Sequence, residues 1–471
     1  MSISLTVNVP LRGQRRQLCD LAHACLPSGP GPPIFPPVTR TDPSDGAVAR
    51  ARQVAGELFR AAVAGADAGA AVAVALDRDP LPVAPVRILA AGKAASTMAD
   101  AAVRWLQAEG RPIAGGLVVG VEPGPPIVAG VEVVAGDHPV PGARSFAAAR
   151  RLAEEVGRHA ADEVALVLLS GGATSLVAGP VEGVGEADVV RLFERLLASG
   201  ADIGRMNAIR KRYLRWGAGR LAAALAPAAV RCLAISDVAG DDPATIGSGP
   251  CTADSWTADR VLAATDALGA LDPTLRARLL AGGPGALPET PKPGDPRLAR
   301  VRTEVVLANR HALHAAAGAA RRLGLSVAIV PEELAGPASD AGAACADRLL
   351  AADVDVVLWG GETTVALAAG SGVGGRAQEL ALAAAGRLAE RGAAGVALLA
   401  AGTGGRDGPT DAAGAVVDAG SWGRSAAAGR DPAAALRRHD AYRALDAAGD
   451  LLRTGHTGTN VRDVVIGVRA G

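Results

Sequence analysis

From about residue 48 onward, short runs that are apolar throughout recur between stretches of helical period: VRILAAG, GGLVVGV, VALVLLSGG, RCLAISD, TEVVLAN, SVAIV, VDVVLWGGE and VALLAAGT. A strand with one wet face alternates apolar and polar positions. Runs without that alternation predict strands covered on both sides, as in parallel sheets. Between them, stretches such as ARARQVAGELFRAAVAGA and AASTMADAAVRWLQAEG predict helices. The fold class is therefore α/β: two domains with mainly parallel sheets flanked by helices. A length of 471 residues suits two such domains. The segment 281–301, AGGPGALPETPKPGDPRLARV, interrupts the rhythm with five prolines. It is the predicted linker between an N-terminal domain at 46–280 and a C-terminal domain at 302–471. Residues 1–45 are proline-rich, without the continuous apolar core of a signal peptide, and are predicted to be a disordered extension.

Composition narrows the function. Lysine plus arginine and aspartate plus glutamate balance at 48 each, without the basic excess of a nucleic-acid or membrane-surface binder. Aromatics at 2% leave few platforms for stacking bases. Five scattered cysteines without a CxxC pair suit a reducing compartment, and no apolar run is long enough to span a bilayer. These features predict a cytoplasmic protein without a nucleic-acid or membrane partner, with room for a homo-oligomer.

Chemistry concentrates where the predicted strands end. AAGKAAS carries Lys93, LLSGGATS carries Ser170 and Thr174, ISDVAGDD carries Asp237, Asp241 and Asp242, WGGETT carries Glu362, and AAGTGGRDGPTD carries Arg406, Asp407 and Asp411. In open α/β sheets such loops line the ligand crevice, and their glycines let backbone N–H groups approach phosphate. Each charge also has a plainer reading. Lys93 can snorkel to water, the aspartates can form turns or hold a divalent cation, and His138 can hydrogen-bond its own loop or act as an acid–base group. Asn207, Arg210 and Lys211 can be an exposed basic helix face or an anion site. Arg376, at the head of a predicted helix, stands against the helix dipole and calls for an anion, either a neighbouring acid such as Glu379 or a ligand. GSGVGG at 370–375 satisfies GxGxxG, but no strand with a terminal acid follows at the distance a dinucleotide site needs.

Taken together, GKAAS at 92–96, GDHPVP at 136–141, LLSGGATSL at 168–176, NAIRK at 207–211, ISDVAGDDPATIGSGP at 235–250, GGETTV at 360–365, GVGGRAQELAL at 372–382, GPTDAAGA at 408–415 and TGTNVRD at 457–463 resemble the glycerate 2-kinase family. These are the class II glycerate kinases, built of DUF4147 and MOFRL modules, and the resemblance runs from about residue 48 to 467. It implies ATP-dependent phosphorylation of D-glycerate at the 2-hydroxyl with Mg2+, in a cleft between two α/β domains, with the segment 455–467 packing back at the cleft. By matching motif, Lys93 and Arg376 correspond to the positive residues proposed as catalytic in that family, joined by Asp237. Substrate or nucleotide contacts fall on Gly92, Ser170, Gly171, Gly172, Asn207, Arg210, Lys211, Ser248, Gly249, Gly361, Glu362, Asp407 and Asn460. Asp237 and Asp241 are the expected Mg2+ ligands. The chain departs from the family pattern at Gly404, where TDG has an acid, at Arg212 and Leu214 in RKHLS, at Gly217, and at His456. These departures keep an altered acceptor or a weakened kinase open, and a hydroxypyruvate reductase is the alternative from another class.

Overall fold

The computed structural model describes residues 43–470 except 202, 270, 272, 281–285 and 368–369. The predicted N-terminal extension therefore lies outside the described residues up to 42, as does the start of the predicted linker. Two six-stranded sheets organise the rest. In the first, β1 (Val86–Ala91), β2 (Ile113–Gly120), β3 (Val131–Ala135), β4 (Val164–Leu169), β5 (Ala229–Ile235) and β6 (Val301–Leu307) lie in the order β3-β2-β1-β4-β5-β6. Every neighbouring pair is parallel. The order runs outward in opposite directions from β1 and β4, so the topological switch point lies between the carboxyl ends of those two strands. That is where open α/β sheets hold ligands.

The second sheet contains β7 (Val327–Ile329), β8 (Val356–Gly361), β9 (Val396–Gly402), β10 (Gly414–Val417), β11 (Leu451–Leu452) and β12 (Asp463–Arg469), in the order β11-β10-β9-β12-β8-β7. It is mixed: β12 runs antiparallel to both β8 and β9, and β10 antiparallel to β9. The expectation of mainly parallel pairing thus describes the first sheet but not the second. A strand buried on both faces is apolar throughout whichever way it runs, so hydropathy is blind to direction. One face packs Val357, Trp359, Leu398, Ala400 and Val465 against the helices Ala338–Leu350 and Arg376–Glu390. The other is covered by Pro43–Ala64 and Asn309–Arg322.

Domain membership also departs from the predicted boundaries. The helix Pro43–Ala64 packs on the second sheet, where Arg52 bonds Asp418 at 2.5 Å and Asp450 at 2.8 Å. Strand β6, placed by the sequence reading in the C-terminal domain, completes the first sheet beside β5. Proline content marks where regular structure stops, not which sheet the next strand joins. Among the described residues no single helix is long and apolar enough to cross a membrane.

Candidate active site

At the switch point the two glycine-rich loops are sewn together. The Lys93 N–H donates to the Gly171 carbonyl at 2.9 Å, and the Ala94 N–H to Ser170 Oγ at 3.0 Å. Gly92, at φ 133°, has no room for a side chain: a Cβ there would strike Ser170. A Cβ on Gly171 would strike the Asp237 carboxylate, which comes from the loop after β5. Lys93 is exposed, and among the described residues no carboxylate lies within ion-pair distance of it. Asp237 is half-buried. Burial pushes its carboxyl up to about 6, against the pull of Lys93 and with the repulsion of Glu362 from the second sheet. Charges from the two sheets therefore face each other across this point.

The helix Ile203–Tyr213 supplies a second group of residues. Two buried arginines of the first sheet's half show what is unusual there. Arg87, 6% exposed, is held by Glu155 at 2.8 Å and Glu163 at 2.9 Å. Arg210, 5% exposed, has no carboxylate partner among the described residues; it stacks 4.3 Å from the Phe193 ring centroid and approaches the Met206 sulfur at 3.8 Å. Burial lowers its guanidinium pKa to about 10, and its Nε is buried without a hydrogen bond. One turn earlier, Asn207 Nδ2 donates to the Thr245 carbonyl at 3.1 Å, while its Oδ1 is buried and unbonded. A buried guanidinium needs compensating acceptors, and among the described residues no carboxylate supplies them here.

Lys211 does not join them. Its ammonium is buried 2.8 Å from Asp254, so it fixes the helix rather than facing the cleft. Ser248 and Gly249 are likewise framework. Ser248 Oγ bonds Thr174 Oγ1 at 2.9 Å, and both backbone carbonyls accept N–H bonds from Ala218 and Gly219 at 2.8 Å. The departures in this stretch sit behind the site. Arg212 is buried against Glu289 and Thr290, Leu214 is in the core, and a Cβ on Gly217 would approach Lys211 Cβ at 3.0 Å.

On the second sheet the anion called for by Arg376 is the protein's own. The amides at the start of Arg376–Glu390 are covered by the buried Asp407 carboxylate, which accepts from the Gln378 N–H at 2.8 Å; a Cβ on Gly375 would strike it. Asp407 is thus a cap delivered from a distant loop, not a free ligand contact. The arginine itself pairs with Glu362, and its Nε lies 3.7 Å from Asp463 Oδ2. Glu379, the neighbour suggested by helical spacing, is bonded instead to His439 Nδ1 at 2.8 Å. Asp463 is buried, and burial raises its carboxyl to about 7 although Arg376 pulls it down. Gly361, at φ 142°, packs against the Leu334 backbone and aims Glu362 at the cleft.

The segment that precedes β12 packs on Thr403 at the end of β9. Thr457 Oγ1 donates to the Thr403 carbonyl at 2.6 Å, and the Val461 N–H donates to Thr403 Oγ1 at 2.8 Å. This sets Asn460 beside Gly404, whose would-be Cβ lies 3.8 Å from Asn460 Oδ1. Sequence reasoning missed Arg462, buried in the same TGTNVRD motif with φ 71° and held in a fork by Glu333 at 2.7 and 2.9 Å. Its charge acts on Asp237 and Asp463 alike. Asp241 pairs with Arg310 through Oδ2, while its Oδ1 is buried without a hydrogen bond. Among the described residues no group of three or more His, Cys, Asp or Glu side chains gathers to hold a metal.

The glycine loop GSGVGG does not make a dinucleotide site. The helix amides that would meet a pyrophosphate are capped by Asp407, and β12 is inserted between β8 and β9, which a βαβ dinucleotide unit would pair directly. Fold and site together define a two-sheet α/β protein with charged, glycine-rich loops gathered at a topological switch point. The DUF4147 family model, described as a domain of unknown function, matches residues 54–291, and the MOFRL family model matches 355–463. The chain is 38% identical over 395 residues to the D-glycerate 2-kinase of Thermotoga maritima, covering 81% of this chain and 90% of that one. It is 34% identical to the glycerate 2-kinase of Pyrococcus horikoshii, over 81% of this chain and 87% of the other. A protein of Agrobacterium vitis called a putative hydroxypyruvate reductase is 39% identical over 88% of this chain and 93% of its own length. The crystal structure of the Thermotoga maritima glycerate kinase superposes with a TM-score of 0.77 at 35% identity, over 89% of this chain and 99% of the other. The chain belongs to the glycerate 2-kinase family.

Proposed function

We propose that this protein transfers the γ-phosphoryl group of ATP to the 2-hydroxyl of D-glycerate, giving 2-phosphoglycerate and ADP. The observation that carries the reading is the pair of cations Lys93 and Arg210, neither with a carboxylate partner, on the first sheet's side of the cleft. In such a transfer the hydroxyl oxygen bonds to the γ-phosphorus, the bridging P–O bond to the β-phosphate breaks, and the hydroxyl proton leaves. The protein's work is positioning and charge neutralisation. Arg210 and Asn207 Oδ1 suit the acceptor's carboxylate and hydroxyl. Lys93, with Arg376 opposite, neutralises the transferring group. Asp237, with its carboxyl raised to about 6, is matched to taking a proton near neutral pH.

For Mg2+ the residues fit only in part. Asp237 is a half-buried carboxylate without an ion-pair partner among the described residues, whereas Asp241 gives Oδ2 to Arg310 and keeps only Oδ1 unbonded. A divalent cation resting on Asp237 and on the nucleotide's own phosphates suits magnesium's preference for few protein ligands, and it would neutralise phosphate charge. The test is ADP release from Mg-ATP with D-glycerate, run beside NAD(P)H oxidation with hydroxypyruvate. Acceptor-dependent ADP release supports the kinase. Nicotinamide oxidation without it would overturn the reading.

A further inference from the structure

His138 stands in the loop between β3 and the helix Ala143–Arg158, and holding that loop is not its task. Asp137 and Ser145 do so: the Asp137 carboxylate accepts from the Arg144 N–H at 3.0 Å and from Arg144 Nε at 2.7 Å, and the Asp137 N–H donates to Ser145 Oγ at 2.8 Å. The His138 ring is exposed at the cleft mouth, with no hydrogen-bond partner among the described residues. Its Cδ2 and Nε2 lie 3.0 and 3.4 Å from where a Gly172 Cβ would be, and Lys93 Cγ lies 3.5 Å from the same point. The open edge of the imidazole thus shares the Ser170–Gly172 loop with Lys93. The charges that face it are Lys93 from the loop after β1 and Arg210 from Ile203–Tyr213, while Asp137 beside it is neutralised by Arg144. The loop after β4 brings no charge of its own. Loss of water on the packed side of the ring, then Lys93 and Arg210, lower its pKa to about 4, so in the empty site the ring is neutral.

We propose that His138 is a ligand-binding residue of the acceptor site that takes up a proton from solvent when an anionic hydroxy acid settles between Lys93 and Arg210, becoming a third N–H donor to it. The inference rests on the reading that this pocket receives the acceptor's carboxylate. The anion offsets the two cations that add to the loss of water in keeping the ring unprotonated, and its own charge and acceptor oxygen favour the new N–H. Binding therefore raises the imidazole toward its ordinary value near 6.5. Affinity for the acceptor strengthens as pH falls toward 6.

Calorimetric titration of the full-length protein with D-glycerate at pH 6.5, in buffers of different ionisation enthalpy, counts the protons. The wild type is expected to take up on the order of half a proton per bound D-glycerate, and His138→Gln none, with KM raised roughly 3–10-fold and kcat little changed. D-glycerate binding without proton uptake, or with uptake unchanged in His138→Gln, overturns the proposal. So does a fall in kcat with affinity and proton count intact, which would make the ring a general base instead. If D-glycerate does not bind the wild type, the acceptor reading itself fails. Sulfate, which exchanges no proton near this pH, then decides the histidine's role by the same count.

Discussion

The two walls of the cleft treat their cations in opposite ways. On the first sheet's side Lys93 and Arg210 have no ion-pair partner among the described residues, although Arg87, in the same half of the molecule, has two. On the second sheet's side Arg376 and Arg462 are each tied to a glutamate, Glu362 and Glu333. The first wall keeps its cations without an internal acid among the described residues. The second holds its arginine against an internal carboxylate, with which the phosphate of the proposed reaction would have to compete. Electrostatic groups fixed before the ligand arrives act most strongly on charge that develops in the transition state.

The largest expected effects come from removing one cation from each wall. Lys93→Ala and Arg376→Ala should each lower kcat by about 10^2–10^3 or more, the loss typical of a group that stabilises transferred charge. A similar KM defect without a kcat defect would place either residue in ground-state binding only. Arg210→Gln should raise KM for the acceptor roughly 10–100-fold while leaving the melting temperature intact or higher, because no internal ion pair is broken. Arg87→Gln, the contrast, should leave Glu155 with only Arg158 and Glu163 with only His159 and lower stability by about 3–5 kcal/mol. Equal destabilisation by the two variants would erase the distinction between them.

Asp463 gives a pH signature. Its folded-state carboxyl, at about 7, lies above the ordinary aspartate value, so the native state holds a proton between about 4 and 7 that the unfolded chain has released. Stability contributed by that proton is complete below pH 4 and lost as pH rises through 7. Thermal unfolding between pH 5 and 8 should show the decline, and Asp463→Asn should flatten it by roughly 1–3 kcal/mol. An unchanged slope would show that Arg376 keeps the carboxylate charged throughout. The smallest effect expected is from Gly404→Asp, which places a carboxylate next to Asn460: a change in kcat within roughly threefold. A large rise would mean that the departure at this position weakens the enzyme.

Much of the fold was legible. All eight apolar runs named from the pattern are strands, because burial on both faces leaves an unbroken apolar signature. The four that escaped are β3, β10, β11 and β12, each short or set among glycines and charged residues. Pairing direction and the exchange of Pro43–Ala64 and β6 between sheets could not be read, since both depend on contacts remote in sequence. In the site, Lys93, Ser170–Gly172 and Asp237 lie in the loops after strands and Arg376 opens its helix, as the pattern predicts. What could not be read is which partner a charge finds: Lys211 with Asp254, Asp241 with Arg310, Asp407 on the helix amides. A motif fixes the residue and its loop, but a salt bridge across 43 positions, as from Lys211 to Asp254, is set by packing.

The measurement that bears most directly on the account is phosphoryl transfer from Mg-ATP to D-glycerate by the purified protein, with 2- and 3-phosphoglycerate separated and Arg376→Ala assayed alongside. The account predicts 2-phosphoglycerate from the wild type and a loss of at least about 10^2 in the variant. 3-Phosphoglycerate as the product, or a variant as active as the wild type, would contradict it.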